Sequence, residues 1–275
     1  MTQHETLFIG GEWIAPSSGQ TITVVSASSE EVIGSVPEAQ EADVDAAVGA
    51  ARRAFDDPTG WATWEPSARA AVLERFADAL ERRGGEIAKL VSAQNGMPVA
   101  ISTAFEGAFP AVLLRYYAGV IKEAVFEEER PALMGGTTVV RRSPIGVVGA
   151  IVPWNFPQSL AAFKYAPALA AGCTLVIKPS PETVLDSVLV AEAAVEAGVP
   201  AGVINFVPAG REVGAYLVSH PGVDKISFTG STAAGRSIGE TCGRLLRPVT
   251  LELGGKSAAI VLDDADLDLA TIGEK

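Results

Sequence analysis

Hydrophobic and polar positions alternate along the first 40 residues, and glycine, proline and serine interrupt the pattern. The alternation is clearest over residues 7–9 and 21–25. A period of two predicts short strands, which we expect to pair antiparallel. Apolar residues then recur at helical spacing, and the first such segment runs to Phe55 with Asp43 as its predicted N-cap.

Two more segments show helical spacing. The second opens at Pro66, and we expect the pair Gly84-Gly85 to interrupt it. The third covers about 99–122, where Pro110 should break or kink the helix. Apolar stripes at this spacing are usually core, so the sequence assigns these helices no functional role.

Residues 126–143 form a separate piece. Gly135 and Gly136 precede a β-branched run with basic ends, a pattern that predicts a two-stranded ribbon projecting from the body. An exposed strand edge favours pairing with another chain, so the ribbon is a candidate for self-association.

From Gly146 onward, short apolar runs rich in β-branched residues alternate with helical runs of about ten to fifteen residues. This alternation predicts an α/β fold with an open parallel sheet covered by helices, preceded by N-terminal strands and helices. The predicted strands are Val147–Val152, Thr174–Ile177, Val203–Val207, Lys225–Phe228, Val249–Leu251 and Ala259–Leu262.

Composition narrows the possible partners. The chain has 275 residues, 48% of them hydrophobic and 20% charged, with a net charge of -12 that argues against nucleic acid or an anionic membrane as partner. Two cysteines, Cys173 and Cys242, suggest neither a disulfide framework nor a metal site. No basic and apolar leader is visible at the start, so we expect a cytoplasmic protein.

Four positions carry candidate chemistry, and each also has an ordinary structural explanation. Gly230-Ser231 is either a capped helix start or a phosphate-binding turn. Lys178 is either a surface lysine or a ligand contact at the carboxyl edge of the sheet. Asn155, between two prolines, is either an Asx-turn residue or a neutral donor to an oxyanion. Glu252 is either a strand-end surface residue or a general base beside two glycines.

Taken together, the runs at 153–157 (PWNFP), 178–183 (KPSPET), 228–232 (FTGST) and 251–257 (LELGGKS) resemble the aldehyde dehydrogenase superfamily, in that order. The resemblance covers nearly the whole chain. It implies a Rossmann-like dinucleotide-binding domain over 1–125 and 144–253. It also implies that 126–143 is an oligomerisation ribbon and that 254–275 is the start of a truncated catalytic domain.

The resemblance implies a role for each matching residue. Asn155 would donate to the oxyanion, Glu252 would be the general base, and Lys164 matches a lysine implicated in proton relay in some members. NAD is the implied cofactor and an aldehyde the implied substrate, with a homo-oligomer, dimer or tetramer, as the expected assembly. The implied cofactor-binding residues are Trp154, Lys178, Ser180, Gly210, Phe228, Gly230, Ser231 and Leu253.

The chain departs from the family pattern in two places. Pro181 stands where members that prefer NAD commonly carry a glutamate that bonds the adenosine ribose, so NADP is possible. The Gly-Gln-x-Cys signature of the nucleophile is absent, and neither Cys173 nor Cys242 fits that role. We therefore expect a fragment that is inactive by itself. The alternatives are a non-catalytic nucleotide-binding or structural protein of this fold, and a semialdehyde or acyl-transferring member.

Overall fold

The computed structural model describes residues 2–258 and 260–264. The N-terminal strands pair as two small sheets, β2 with β3 and β4 with β5 antiparallel, as the alternating pattern predicts. One pairing differs from the prediction, because β1 lies parallel to β5. The bounds of these strands are β1 Thr2–Gln3, β2 Leu7–Ile9, β3 Glu12–Ile14, β4 Thr21–Val25 and β5 Val32–Pro37.

Helix α1 spans Glu41–Asp56 and begins before the predicted N-cap. Gln40 is the N-cap, and Asp43 is the third helical residue. The Asp43 Oδ2 accepts a hydrogen bond from the Gln40 N–H at 2.8 Å. Asp43 therefore forms a capping box from the third helical position. An acidic residue is common at both the N-cap and this position, so the residue type alone did not distinguish them. A 3-10 turn at Trp61–Thr63 follows.

Helix α2 spans Pro66–Asn95 without a break, so the prediction that Gly84-Gly85 interrupts it is wrong. A Cβ placed on Gly84 would lie 2.5 Å from the carbonyl oxygen of Gly107. Gly84 is thus required for close helix packing and does not end the helix. Glycine lowers the helix propensity at this position by about 1 kcal/mol relative to alanine, but a larger residue would not fit against Gly107.

The third helical region is divided, as Pro110 predicts. Helix α3 spans Val99–Ser102, a π-helical segment covers Thr103–Ala108, and helix α4 spans Phe109–Glu123 with Pro110 in its first turn. Proline cannot donate a backbone hydrogen bond, so the chain widens before it and a regular helix resumes after it.

Strands β6, Glu127–Pro131, and β7, Thr137–Arg141, form the predicted antiparallel ribbon. At its tip, Leu133 and Met134 are almost completely exposed. Within the described residues, each ribbon strand pairs only with the other.

The main sheet has five parallel strands in the order β10-β9-β8-β11-β12. This confirms the predicted α/β fold with a parallel, helix-covered sheet. Residues 260–262 are not in a strand, contrary to the sixth predicted strand, and Ala259 lies outside the described residues. The bounds are β8 Val147–Ile151, α5 Pro157–Ala171, β9 Thr174–Lys178, α6 Asp186–Glu196, β10 Ile204–Phe206, α7 Arg211–Ser219, β11 Lys225–Gly230, α8 Thr232–Arg244 and β12 Val249–Leu253.

Alternate residues of each strand enter cores on opposite faces of the sheet. Leu175 and Ile177 pack with α2, α4, α5 and α6, whereas Val176 packs with α1, α7 and α8. Both faces are therefore buried, as expected for parallel strands. No helix in the described part of the chain combines the length and the apolar character needed to span a bilayer.

Candidate active site

A cleft of about 700 Å³ lies at the carboxyl edge of the main sheet, between the ends of β8, β9, β11 and β12. Ligands of open parallel sheets bind at this edge. Of the residues singled out from the sequence, all but Lys164 line the cleft. These are Trp154, Asn155, Lys178, Ser180, Gly210, Phe228, Gly230, Ser231, Glu252 and Leu253.

The turn between β11 and α8 forms one wall. Ser231 is the N-cap of α8, and its Oγ accepts a hydrogen bond from the Ala234 N–H at 3.2 Å. A Cβ on Gly230 would approach the ring of Phe228 to 2.5 Å, so only glycine fits there without displacing the ring. The turn directs the positive end of a 13-residue helix at the cleft, which suits a phosphate group.

Lys178, the last residue of β9, is buried with 6% of its surface exposed. Its Nζ donates to the carbonyl oxygens of Pro179, at 2.9 Å, and of Ala209, at 2.7 Å. Burial lowers the pKa of Lys178 to about 8. An ammonium has three donors, and the described residues use two of them, so one donor is left for a ligand in the cleft.

Glu182 also lines the cleft, one position after the Pro181 that departs from the family pattern. Its carboxylate accepts a hydrogen bond from the Ser180 hydroxyl. It also opposes the lowering of the Lys178 pKa, so its charge reaches the same end of the cleft.

The turn that carries Trp154 and Asn155 connects β8 to α5. Both side chains are exposed, Trp154 to 54%. Their carbonyl oxygens each accept a hydrogen bond from the Asn95 Nδ2 at 3.1 Å. Asn95 was not predicted as a site residue, because it lies about 60 positions away in the chain and no local pattern distinguishes it.

Glu252 is exposed and lies in β12 opposite Thr229 of β11. Lys164, on α5, is buried beneath this pair and donates from Nζ to the Thr229 Oγ1 at 2.7 Å and to the Ser227 Oγ at 3.3 Å. Burial lowers the pKa of Lys164 to about 8, and the Glu252 carboxylate opposes this effect. Lys164 thus reaches the cleft only through the Thr229 hydroxyl.

Neither cysteine lies in the cleft. Cys173 packs in the core between α5 and β9, and Cys242 is completely buried on α8. Burial raises the pKa of both thiols, so neither is activated as a thiolate.

A buried polar cluster lies behind the Trp154–Asn155 turn and comprises Gln94, Glu106, Gln158 and Asp186. The Glu106 Oε2 accepts from the Gln158 backbone N–H at 2.7 Å, in the first turn of α5. Asp186 accepts from the side-chain amides of Gln94, at 2.7 Å, and of Gln158. Burial raises the pKa of Glu106 to about 7 and also raises that of Asp186. No sequence pattern singled out these groups, because carboxylates in helical segments ordinarily face solvent.

The aromatic residues next to this turn include one from the third helical region that does not lie in the core as expected. Phe105 is 46% exposed and Phe163 is 49% exposed. Phe105 meets Phe109 and Phe156 at centroid distances of 6.4 and 5.9 Å, and Phe109 meets Phe163 at 5.7 Å. We call these four residues the aromatic surface. Aromatic rings open to solvent beside a cleft are a candidate apolar ligand contact.

The chain is similar to known proteins over nearly its whole length. The model of the aldehyde dehydrogenase family matches residues 13–273. A geranial dehydrogenase from Castellaniella defragrans is 60% identical over 265 residues, which are 96% of this chain and 55% of that protein. The chain thus spans about half the length of the curated relatives that it matches.

Two solved structures are also similar. The aldehyde dehydrogenase of Mycobacterium tuberculosis complexed with NAD+ has a TM-score of 0.91 and 45% identity, covering 97% of this chain and 55% of that one. A mutant aldehyde dehydrogenase C of Pseudomonas syringae, complexed with NAD+ and octanal, has a TM-score of 0.88 and 38% identity, covering 95% and 53%.

Proposed function

The chain belongs to the aldehyde dehydrogenase family, and from that premise we propose that its cleft binds NAD+ for the oxidation of an aldehyde to a carboxylic acid. One observation carries the proposal. The Gly230-Ser231 turn, Lys178, Asn155 and Glu252 line a single cleft although they lie on separate strands and loops. The chain spans about half the length of its relatives, so the activity of the whole protein is itself part of the proposal.

The residues of the cleft suit a dinucleotide. The N-terminus of α8 and the Gly230 backbone would receive the pyrophosphate, and the remaining donor of Lys178 would bond a ribose hydroxyl. Gly214 supports this arrangement, because a Cβ there would lie 3.2 Å from the Lys178 Cδ and crowd the side chain. Both related structures carry bound NAD+, which supports a dinucleotide as the ligand. NADP+ is the second candidate, since Pro181 brings no carboxylate to the ribose.

The chemistry assigned to the chain's own residues is limited to two groups. The Asn155 amide would donate to the oxygen of the substrate carbonyl as negative charge develops there. The Glu252 carboxylate would remove a proton from the water that hydrolyses the acyl intermediate. Bound NAD+ would supply the acceptor for the hydride that leaves the former aldehyde carbon.

We further propose that the nucleophile is a cysteine supplied from outside these 275 residues. Its thiolate would add to the aldehyde carbon to give a thiohemiacetal, hydride loss would leave a thioester, and water would release the acid and restore the thiolate. The burial of Cys173 and Cys242 supports this division, because neither sulfur has access to the cleft. A non-catalytic nucleotide-binding protein of the same fold remains the alternative.

The aromatic surface favours an apolar aldehyde. Phe156 follows Asn155 directly in the chain, so a hydrocarbon chain lying on these rings would have its carbonyl near the Asn155 amide. Geranial and octanal, named for a relative and for a neighbouring structure, are both aldehydes of this kind. Burying such a chain gains roughly 0.8 kcal/mol per methylene group.

We also propose that the whole protein is a homo-oligomer assembled through the ribbon of residues 126–143. Its exposed tip, with Leu133 and Met134, would be covered by a second copy. Replacing both tip residues by serine should shift the protein toward the monomer in light scattering at fixed concentration. A strict monomer for the unchanged protein would contradict this assembly.

The central test is a titration of the chain with NAD+, monitored by tryptophan fluorescence, with a Trp154→Phe variant to identify the signal that comes from Trp154. Replacing Lys178 by alanine should weaken binding about tenfold or more, because a charge-assisted hydrogen bond is lost. Replacing Lys256, which is exposed and does not line the cleft, is the matched control and should leave binding unchanged. Equal effects of the two substitutions, or no binding by a folded chain, would refute the proposed function.

A further inference from the structure

Asn95, the last residue of α2, joins this helix to the Trp154–Asn155 turn. Its Nδ2 donates to the carbonyl oxygens of Trp154 and Asn155, each at 3.1 Å. We propose that Asn95 is a positioning residue that holds this turn so that the Asn155 amide faces the cleft. The inference rests on the proposed function, since it assigns Asn95 a role through Asn155.

The orientation of the Asn95 amide is fixed. Its Oδ1 accepts a hydrogen bond from the Met97 N–H at 3.0 Å, so the nitrogen end faces the turn. Both donors of the Nδ2 group are then available to the two carbonyl oxygens. A single side chain thus holds two successive peptide groups, which restricts rotation of the backbone between them.

The two carbonyl oxygens of this turn have no other partner in the described part of the chain. Among the described residues, no second hydrogen bond reaches the carbonyl oxygen of Trp154 or of Asn155. Phe156, the N-cap of α5, makes no capping hydrogen bond with its side chain. Pro153 has no N–H to donate. The backbone on either side of Asn155 is therefore hydrogen-bonded at both carbonyl oxygens by a side chain from a distant helix.

Asn95 is itself held firmly. Gly96 ends α2 in the left-handed conformation, with φ of 77°, and donates to the Ser92 carbonyl oxygen at 2.9 Å. The preceding residue, Gln94, is buried, and its Oε1 accepts from the N–H groups of Val184 and Leu185 at 2.9 Å each. The end of α2 thus joins the segment that follows Lys178 to the turn that carries Asn155.

A purely structural role is the competing explanation, in which Asn95 only completes the C-terminal cap of α2. Two substitutions separate the explanations. Asn95→Asp keeps an oxygen for the Met97 N–H and so keeps the cap, but it loses both donors and sets a carboxylate against two carbonyl oxygens. Ser92→Ala removes the Ser92 hydroxyl, which donates to the Met97 carbonyl oxygen at 2.6 Å, and leaves the turn untouched.

The first measurement uses the 275-residue chain labelled with 5-fluorotryptophan and observed by ¹⁹F NMR, with Trp154 assigned by a Trp154→Phe variant. Asn95→Asp should shift or broaden the Trp154 resonance and leave those of Trp13, Trp61 and Trp64 in place. Ser92→Ala should leave all four in place. An unchanged Trp154 resonance in Asn95→Asp, or an equal change in Ser92→Ala, would overturn the proposal.

The second measurement uses the longer protein that supplies the nucleophile. Asn95→Asp should lower kcat about tenfold to a hundredfold with little change in the KM for the aldehyde. A misplaced Asn155 amide would stabilise the transition state less, whereas binding of the neutral aldehyde would change little. A rise in KM at constant kcat would contradict positioning. The ¹⁹F comparison needs no ligand, so it judges Asn95 even if NAD+ binding, and with it the proposed function, fails.

Discussion

The cleft and the buried polar cluster lie on either side of the Trp154–Asn155 turn, yet they hold their polar groups in opposite ways. Trp154, Asn155 and Glu252 are exposed at strand ends and have room for a ligand. In the cluster, Glu106 and Asp186 are completely buried and bond only to other protein groups within the described chain.

This difference in exposure indicates different roles for the two regions. Side chains in the cleft can act by touching a ligand, whereas the cluster can act only by holding segments in place or by gaining and losing a proton. Burial is also what shifts a pKa, since it disfavours the charged form. Glu106 and Asp186, which are buried behind the cleft, therefore have raised pKa values. The predictions below depend on this difference in burial between the cleft and the cluster.

The largest expected effect concerns the thiols. Because Cys173 and Cys242 belong to the buried part of the molecule, the 275-residue chain alone should not oxidise aldehydes. Loss of a covalent nucleophile typically removes several orders of magnitude of rate, so NADH or NADPH formation should equal that of buffer.

The assay would use aliphatic and aromatic aldehydes with either cofactor. Turnover that disappears on Cys173→Ser or on Cys242→Ser would show that a buried thiol reaches the cleft, and the division between the two regions would then be wrong.

The second effect is a pH dependence of stability from Glu106. Its pKa is about 7 in the folded chain, against an ordinary value of 4.5, so between these values the folded state binds more protons than the unfolded state. Stability from this group therefore falls as pH rises from about 4.5 to about 7, by up to about 3 kcal/mol, and is constant above that range.

Glu106→Gln keeps an oxygen for the Gln158 N–H and removes the titration. Urea unfolding between pH 5 and 8 should show a shallower decline for this variant than for the unchanged chain. Exposed Glu86, replaced in the same way, is the matched control. Parallel pH profiles for Glu106→Gln and the unchanged chain would mean that the Glu106 carboxyl does not titrate in this window.

The smallest effect belongs to the cleft itself. Pro181 brings no carboxylate to repel a 2′-phosphate, so we expect a preference between NAD+ and NADP+ below about tenfold, or about 1.4 kcal/mol. Pro181→Glu should raise the preference for NAD+ in a binding titration. A preference of several hundredfold in the unchanged chain would refute this.

Glu182 provides the comparison, because its carboxylate lines the same end of the cleft. If Glu182→Gln changes the preference between NAD+ and NADP+ more than Pro181→Glu does, then Glu182 is the residue that discriminates between the two cofactors.

Much of the cleft could be predicted from sequence because its residues are placed by local rules. The β-branched runs form the parallel strands, and the residues after each strand meet at one edge of the sheet. The strand-end positions of the Gly230-Ser231 turn, Lys178 and Glu252 follow from that geometry, whereas their expected roles came from the resemblance of the four motifs to the family.

Contacts between distant segments could not be predicted in this way. From the sequence, Gly84 is expected to break the helix, but in the fold it packs against Gly107. Phe105 is expected to lie in the core as part of an apolar stripe, but in the fold it is exposed. Burial in the folded chain raises the pKa of Glu106, although the hydrogen bond from the Gln158 N–H acts in the opposite direction.

The sequence by itself indicated the order of the elements, the parallel sheet and the residues at its carboxyl edge, because each of these can be inferred from local patterns of apolar and polar residues along the chain. Only the tertiary structure decided which carboxylates are buried, which aromatic rings stay exposed, and that Asn95 donates hydrogen bonds to the turn of Asn155. These depend on pairs that are tens of residues apart, whose approach follows from packing the whole chain.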